Sequence, residues 1–157
     1  MKTNILPLKE QSIAEIYNGN KASYEVPIYQ RNYAWEKDEI FTLIQDIYDA
    51  YSAKPQNQTY FIGTLVTFNK GDQVYEVIDG QQRLTTTNLI LGALEIPIQN
   101  KLTYRARKKS NKTIQSIPHF QIEEKDNGIV NGFKYAKDSI QEIVPKENLD
   151  AFKIYFQ

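Results

Sequence analysis

The chain has 157 residues, 41% hydrophobic and 24% charged, which suffices for one domain with a real core and argues against disorder. Lysine plus arginine and aspartate plus glutamate number 19 each, so no net field draws the chain to nucleic acid, and any DNA contact must come from a local patch. There is no cysteine, which excludes disulfides, thiolate metal sites and cysteine nucleophiles and suits a cytoplasmic protein.

Met1-Lys2-Thr3-Asn4 leads into no apolar run, so no signal peptide is expected, and no stretch approaches the roughly 20 apolar residues of a membrane span. Residues 12–17 read as a short helix that starts near Ser12 or Gln11 and stops at Asn18-Gly19. Residues 23–26 read as a strand ended by Pro27. After an aromatic-dense loop, residues 36–51 place Ile40, Leu43, Ile44, Ile47, Tyr48 and Tyr51 on the stripe of an amphipathic helix. Residues 60–68, β-branched and aromatic, read as a strand; Lys70-Gly71-Asp72 is the expected turn and residues 74–78 the second arm of a hairpin. Residues 81–94 form a helix of roughly four turns. A basic run without acids covers 101–112, a helix covers 127–144, and another follows Pro145 to the end. A few strands among helices predict an α+β fold with a small mixed sheet.

Two segments can carry chemistry. In Ile78-Asp79-Gly80-Gln81-Gln82-Arg83-Leu84-Thr85-Thr86 a strand delivers a carboxylate, a glycine and then a helix start. Free N–H groups and the helix dipole make such a start an anion site, Gly80 permits close backbone approach, and Arg83 can grip a phosphate with two hydrogen bonds. Asp79 can hold magnesium or orient a water. The plainer alternative is a tight turn with an aspartate cap and an exposed arginine. In Val26-Pro27-Ile28-Tyr29-Gln30-Arg31-Asn32-Tyr33-Ala34-Trp35 three aromatics flank Gln-Arg. They either wall a nucleotide site or plug the core, and for Trp35 burial is the expected reading.

Taken together, these motifs resemble the two hallmarks of the GmrSD restriction endonuclease amino-terminal domain family. Tyr60-Phe61-Ile62-Gly63-Thr64-Leu65 and, more loosely, Leu102-x-Tyr104-x-x-Arg107-x-x-Ser110 extend the likeness. The resemblance implies a ParB/sulfiredoxin-like fold in which the Gln-Arg loop and the helix start face one nucleotide pocket. It also implies coupling of nucleoside triphosphate (NTP) binding or hydrolysis to cleavage of modified phage DNA, often by a separate carboxy-terminal nuclease domain. The sulfiredoxin branch carries a catalytic cysteine at this helix start; here the turn has none, which excludes sulfinic acid repair.

The expected site therefore comprises Tyr29, Gln30, Arg31, Gly80, Gln81, Gln82 and Arg83 around an NTP, with Asp79 and Arg83 in catalysis and Asp79 on Mg²⁺. The alternatives are a non-catalytic module that senses modified DNA, or a domain that nicks DNA itself. DNA contact is expected through Arg105, Arg107, Lys108 and Lys109, although the basic run also reads as a solvated strand and helix face. His119, the lone histidine, reads as a loop residue, and Asp38, Asp46 and Asp49 as the solvent side of a helix. One domain spans 1–157. Its apolar helical end, Phe152-Lys153-Ile154-Tyr155-Phe156-Gln157, suggests a longer source gene.

Overall fold

A computed structural model describes residues 8–19, 21–53, 59–99, 102–121 and 123–157. Met1-Lys2-Thr3-Asn4 and Lys101, the first cation of the basic run, lie outside these. The elements run α1 (Ile13–Tyr17), β1 (Ser23–Val26), α2 (Lys37–Ser52), β2 (Val66–Gly71), β3 (Val74–Asp79), α3 (Gln81–Ala93), β4 (Leu102–Tyr104), α4 (Lys108–Gln115), α5 (Asn127–Ile143) and α6 (Leu149–Phe156). The strand order is β2-β3-β1-β4; β1 runs parallel to both β3 and β4, while β2 pairs antiparallel with β3. The fold is α+β with a mixed sheet, as the pattern predicts.

Local signals account for most boundaries. Ser12 and Glu15 form a reciprocal capping box at α1, and Glu36 and Glu39 do the same at α2. The hairpin turn is Asp72-Gln73, both at positive φ, which matches the twist of a two-residue connection. It falls one residue later than Lys70-Gly71-Asp72 suggests, because β2 continues through Gly71.

The expected strand at 60–68 is corrected. Only Val66 onward joins the ladder, and residues 59–65 carry no strand pairing. Gly63 sits at φ +147 with the Arg83 side chain packed on it, and the Thr64 carbonyl abuts Gly80. This stretch keeps strand-like composition because it walls α3, not because it pairs.

Helix α3 is the centre of the domain. Ten of its residues are buried, between Gln81 and Gly92, so beyond the exposed Arg83 of its first turn it has no solvent face and no amphipathic stripe. Its polar ring is met by tyrosines from three other parts of the chain. Tyr17 bonds the Leu84 carbonyl and Thr87, Tyr33 bonds Thr86 at 2.9 Å, and Tyr104 bonds Thr85. Burial pushes all three phenols far up, so they remain protonated donors. Tyr33 reaches α3 because residue 132 of α5 is glycine; a Cβ there would lie 2.6 Å from the Tyr33 ring and 2.9 Å from Leu89. Helices α2 and α6 close the other side through Tyr48, Tyr51 and Phe152.

Candidate functional site

Strand β3 ends at Asp79, and Gly80 turns the chain with φ 95 and ψ 9. That left-handed geometry, and a Cβ position only 2.8 Å from the Thr64 carbonyl oxygen, leave room for glycine alone. The Gly80 N–H donates to Asp79 Oδ1 at 2.9 Å. Helix α3 then begins without a side-chain cap, so its first N–H groups lack the partner that most helix starts supply.

The Gln-Arg loop and this turn meet, and they do so by direct hydrogen bonds. Gln82 Nε2 donates to the Asn32 carbonyl at 3.1 Å, while its Oε1 accepts from the Ala34 N–H at 2.9 Å. Gln81 Nε2 donates to the Arg31 carbonyl at 3.2 Å, and Gln30 Nε2 donates to the Ile78 carbonyl at 2.9 Å. Tyr29 Oη donates to Glu76 at 2.8 Å, which raises its pKa. Each motif thus reads the other's backbone. The three amides hold the loop in place, and Gln81 Oε1 is left buried with no partner. Gln82→Ala removes two loop bonds at once. It is expected to cost about 1–3 kcal/mol in chemical denaturation and to release residues 32–34 to faster amide exchange.

Arg83 points elsewhere. Its guanidinium lies over Gly63, where an added Cβ would fall 2.5 Å from Nη1, and its charge bears on the half-buried Tyr60. For Tyr60, burial and Asp46 push the phenol up and Arg83 pulls it down. Arg83 and Gly80 open onto a groove of about 1550 Å³ walled by Tyr60, Phe61, Ile62, Gly63 and Tyr155. Tyr29 and Arg31 do not line it; their side chains stand exposed on the loop. The expected single cleft is therefore resolved into an interlocked core of Gln30, Gln81 and Gln82, with Arg83 on one flank and Arg31 on another. Gly63 is the residue that composition undervalues: a glycine within a strand-like run marks close approach of another group.

A family model for the GmrSD restriction endonuclease, N-terminal domain, matches residues 13–157, nearly the whole chain and both motifs. The chain belongs to that family. Its role accordingly lies in DNA restriction. No curated protein matches the sequence.

In this GmrSD N-terminal domain the basic run divides its labour. Arg107 turns inward, and its Nη2 donates to the carbonyls of Gln30 and, at 3.4 Å, Ile28. Arg105 pairs with Glu25 at 3.6 Å across the open sheet face, beside the Lys70–Glu25 pair at 3.2 Å. Lys108 and Lys109 are exposed at the start of α4 and line a second cavity of about 490 Å³ with Asn32, Arg107 and Asp126. His119 is an exposed loop residue, and Asp38, Asp46 and Asp49 face solvent on α2. No helix among the described residues is long and apolar enough to cross a membrane.

Among the described residues no three of His, Cys, Asp and Glu gather into a metal-holding group. Asp79 is the one carboxylate at the turn, exposed and with no partner for Oδ2 among the described residues. A single carboxylate fits magnesium, which is commonly held by one or two carboxylates together with substrate phosphates and water.

Proposed function

We propose that this domain binds a nucleoside triphosphate at the start of α3 and hydrolyses it in step with DNA restriction. The observation that carries the reading is the uncapped start of α3, delivered by a glycine-only turn and flanked by Arg83 at the mouth of an aromatic-walled groove. Uncapped N–H groups and the positive end of the dipole favour a phosphate, and an arginine beside them favours it further. Arg83 neutralises phosphate charge. Gly80 lets the phosphate approach the backbone, and Gln30, Gln81 and Gln82 hold the turn in position. Arg31 and Tyr29 are the exposed side chains of the clamped loop, Tyr29 with its hydroxyl held by Glu76, and both are proposed to meet the nucleotide from that side.

Asp79 is proposed to orient the attacking water and to be the protein's ligand to Mg²⁺, which when bound would offset negative charge on the phosphates. The strand, glycine turn and arginine-bearing helix start also support the ParB/sulfiredoxin-like placement expected from the motifs. On the same reading the cut is made by a nuclease domain elsewhere in the full protein.

One observation favours a second reading, a non-catalytic module that senses modified DNA: the three motif amides are already occupied by backbone partners. Calorimetry with a panel of NTPs, with and without magnesium, separates the two. Saturable NTP binding with magnesium-dependent phosphate release supports the first. No heat from any nucleotide supports the second, and nicking of a supercoiled plasmid would identify a nuclease.

A further inference from the structure

We propose that the cavity between Asn32 and the start of α4 seats a backbone phosphate of DNA. The inference rests on the restriction role above and supplies the DNA side of that reading. The cavity is lined entirely by polar and charged residues, three of them the cations Arg107, Lys108 and Lys109. With no ring or apolar side chain it offers a base no stacking surface, and its three cations suit a phosphate.

Its single carboxylate, Asp126, is turned to other work. Oδ2 accepts from Ser110 Oγ at 2.5 Å, Oδ1 accepts from the Ile129 N–H at 3.3 Å, and no cation among the described residues pairs with it. Arg107 likewise has no carboxylate partner among the described residues, and its Nη1 is buried without a hydrogen bond. A part-buried guanidinium without a counter-charge is costly, and an anion in the adjoining cavity relieves that cost. Lys112 lies one turn beyond Lys108 on α4, which continues the positive strip along a duplex.

The same arginine gives the seat a connection. Arg107 holds the Gln30 carbonyl, and Gln30 holds the Ile78 carbonyl one residue before Asp79. Two hydrogen bonds thus link Arg107 to the residue before the Asp79-Gly80 turn, which lets DNA occupancy bear on that turn.

The test uses the full protein and a fluorescently labelled duplex, with anisotropy measured across a salt series. Lys108→Ala/Lys109→Ala is compared with Lys137→Ala/Lys146→Ala, which removes equal charge from exposed positions elsewhere. The seat predicts that only the first pair flattens the plot of log affinity against log salt, by about one unit for each DNA phosphate no longer neutralised. It also predicts roughly tenfold weaker DNA binding at low salt from that pair. Equal slopes for the two pairs, or no DNA binding by the wild type, overturn it. NTP titration of the same proteins provides the second arm. Unchanged NTP affinity in the Lys108/Lys109 variant is expected, whereas lost NTP affinity with intact DNA binding assigns the cavity to a nucleotide phosphate and overturns the proposal. A wild type that binds no NTP but shows the slope change removes the nucleotide reading and leaves the DNA seat standing.

Discussion

Arg83→Ala is expected to weaken NTP binding roughly tenfold to 150-fold, which corresponds to losing about 1.5–3 kcal/mol of charge-assisted hydrogen bonding. The melting temperature should hardly move, because the side chain is exposed and supports little core. Arg83→Lys keeps the charge but loses the two-pronged geometry, so it should restore only part of the affinity. Asp79→Ala is expected to diverge from both, sparing binding while removing phosphate release. A plain strand-to-helix turn reverses this pattern. Under it Arg83→Ala leaves calorimetric titrations unchanged, and Asp79→Ala lowers stability by about 1 kcal/mol through removal of the bond to the Gly80 N–H. Unchanged affinity in Arg83→Ala would end the nucleotide reading.

Gly80→Ala should be the most damaging small change in the domain. A side chain at φ 95 carries about 1–2 kcal/mol of left-handed strain, and its Cβ would lie 2.8 Å from a backbone oxygen that cannot simply rotate away. The sum is expected to reach roughly 2 kcal/mol, or about 4–8 °C in melting temperature for a domain of this size. Gly71→Ala is the matched control. Gly71 also has positive φ, at +92, but a Cβ there meets nothing within 4 Å. It should show the backbone strain alone, and the difference between the two variants measures the clash with Thr64. Equal losses would mean that residues 63–65 yield to the turn.

The elements of this fold were legible where the signal is local. The apolar spacing of α2, the Asn18-Gly19 stop of α1, and the change from β3 to a glycine and a helix start all lie within a few residues of what they determine. The four-residue strand β1 was legible for the same reason, since Pro27 closes it. Residues 60–65 misled because β-branched and aromatic composition reports a tendency to burial and cannot say whether a ladder partner is available. At the site, the residue types were legible but their directions were not. Gln81, Gln82 and Arg83 stand roughly 100° apart around one helical turn, so consecutive residues must face different neighbours. Those neighbours, Asn32, Ala34 and Gly63, come from distant parts of the chain. Arg107 was counted with the surface cations for the same reason, since nothing in its sequence surroundings announces the loop carbonyls that it holds.

The placement of β1 has a consequence for how the protein is made. Tyr24 pairs with Tyr75 on one side and with Leu102 on the other, so the strand nearest the amino terminus waits for partners made far later. Leu102 follows Tyr24 by roughly eighty residues, on the order of 4–16 s of synthesis at typical elongation rates. Throughout that interval an open edge and the apolar side of Tyr24 and Val26 are available to other nascent chains. Translation that slows between residues 27 and 101 therefore prolongs an aggregation-prone state, and the yield of folded protein depends on the pace of the ribosome as well as on the stability of the finished domain.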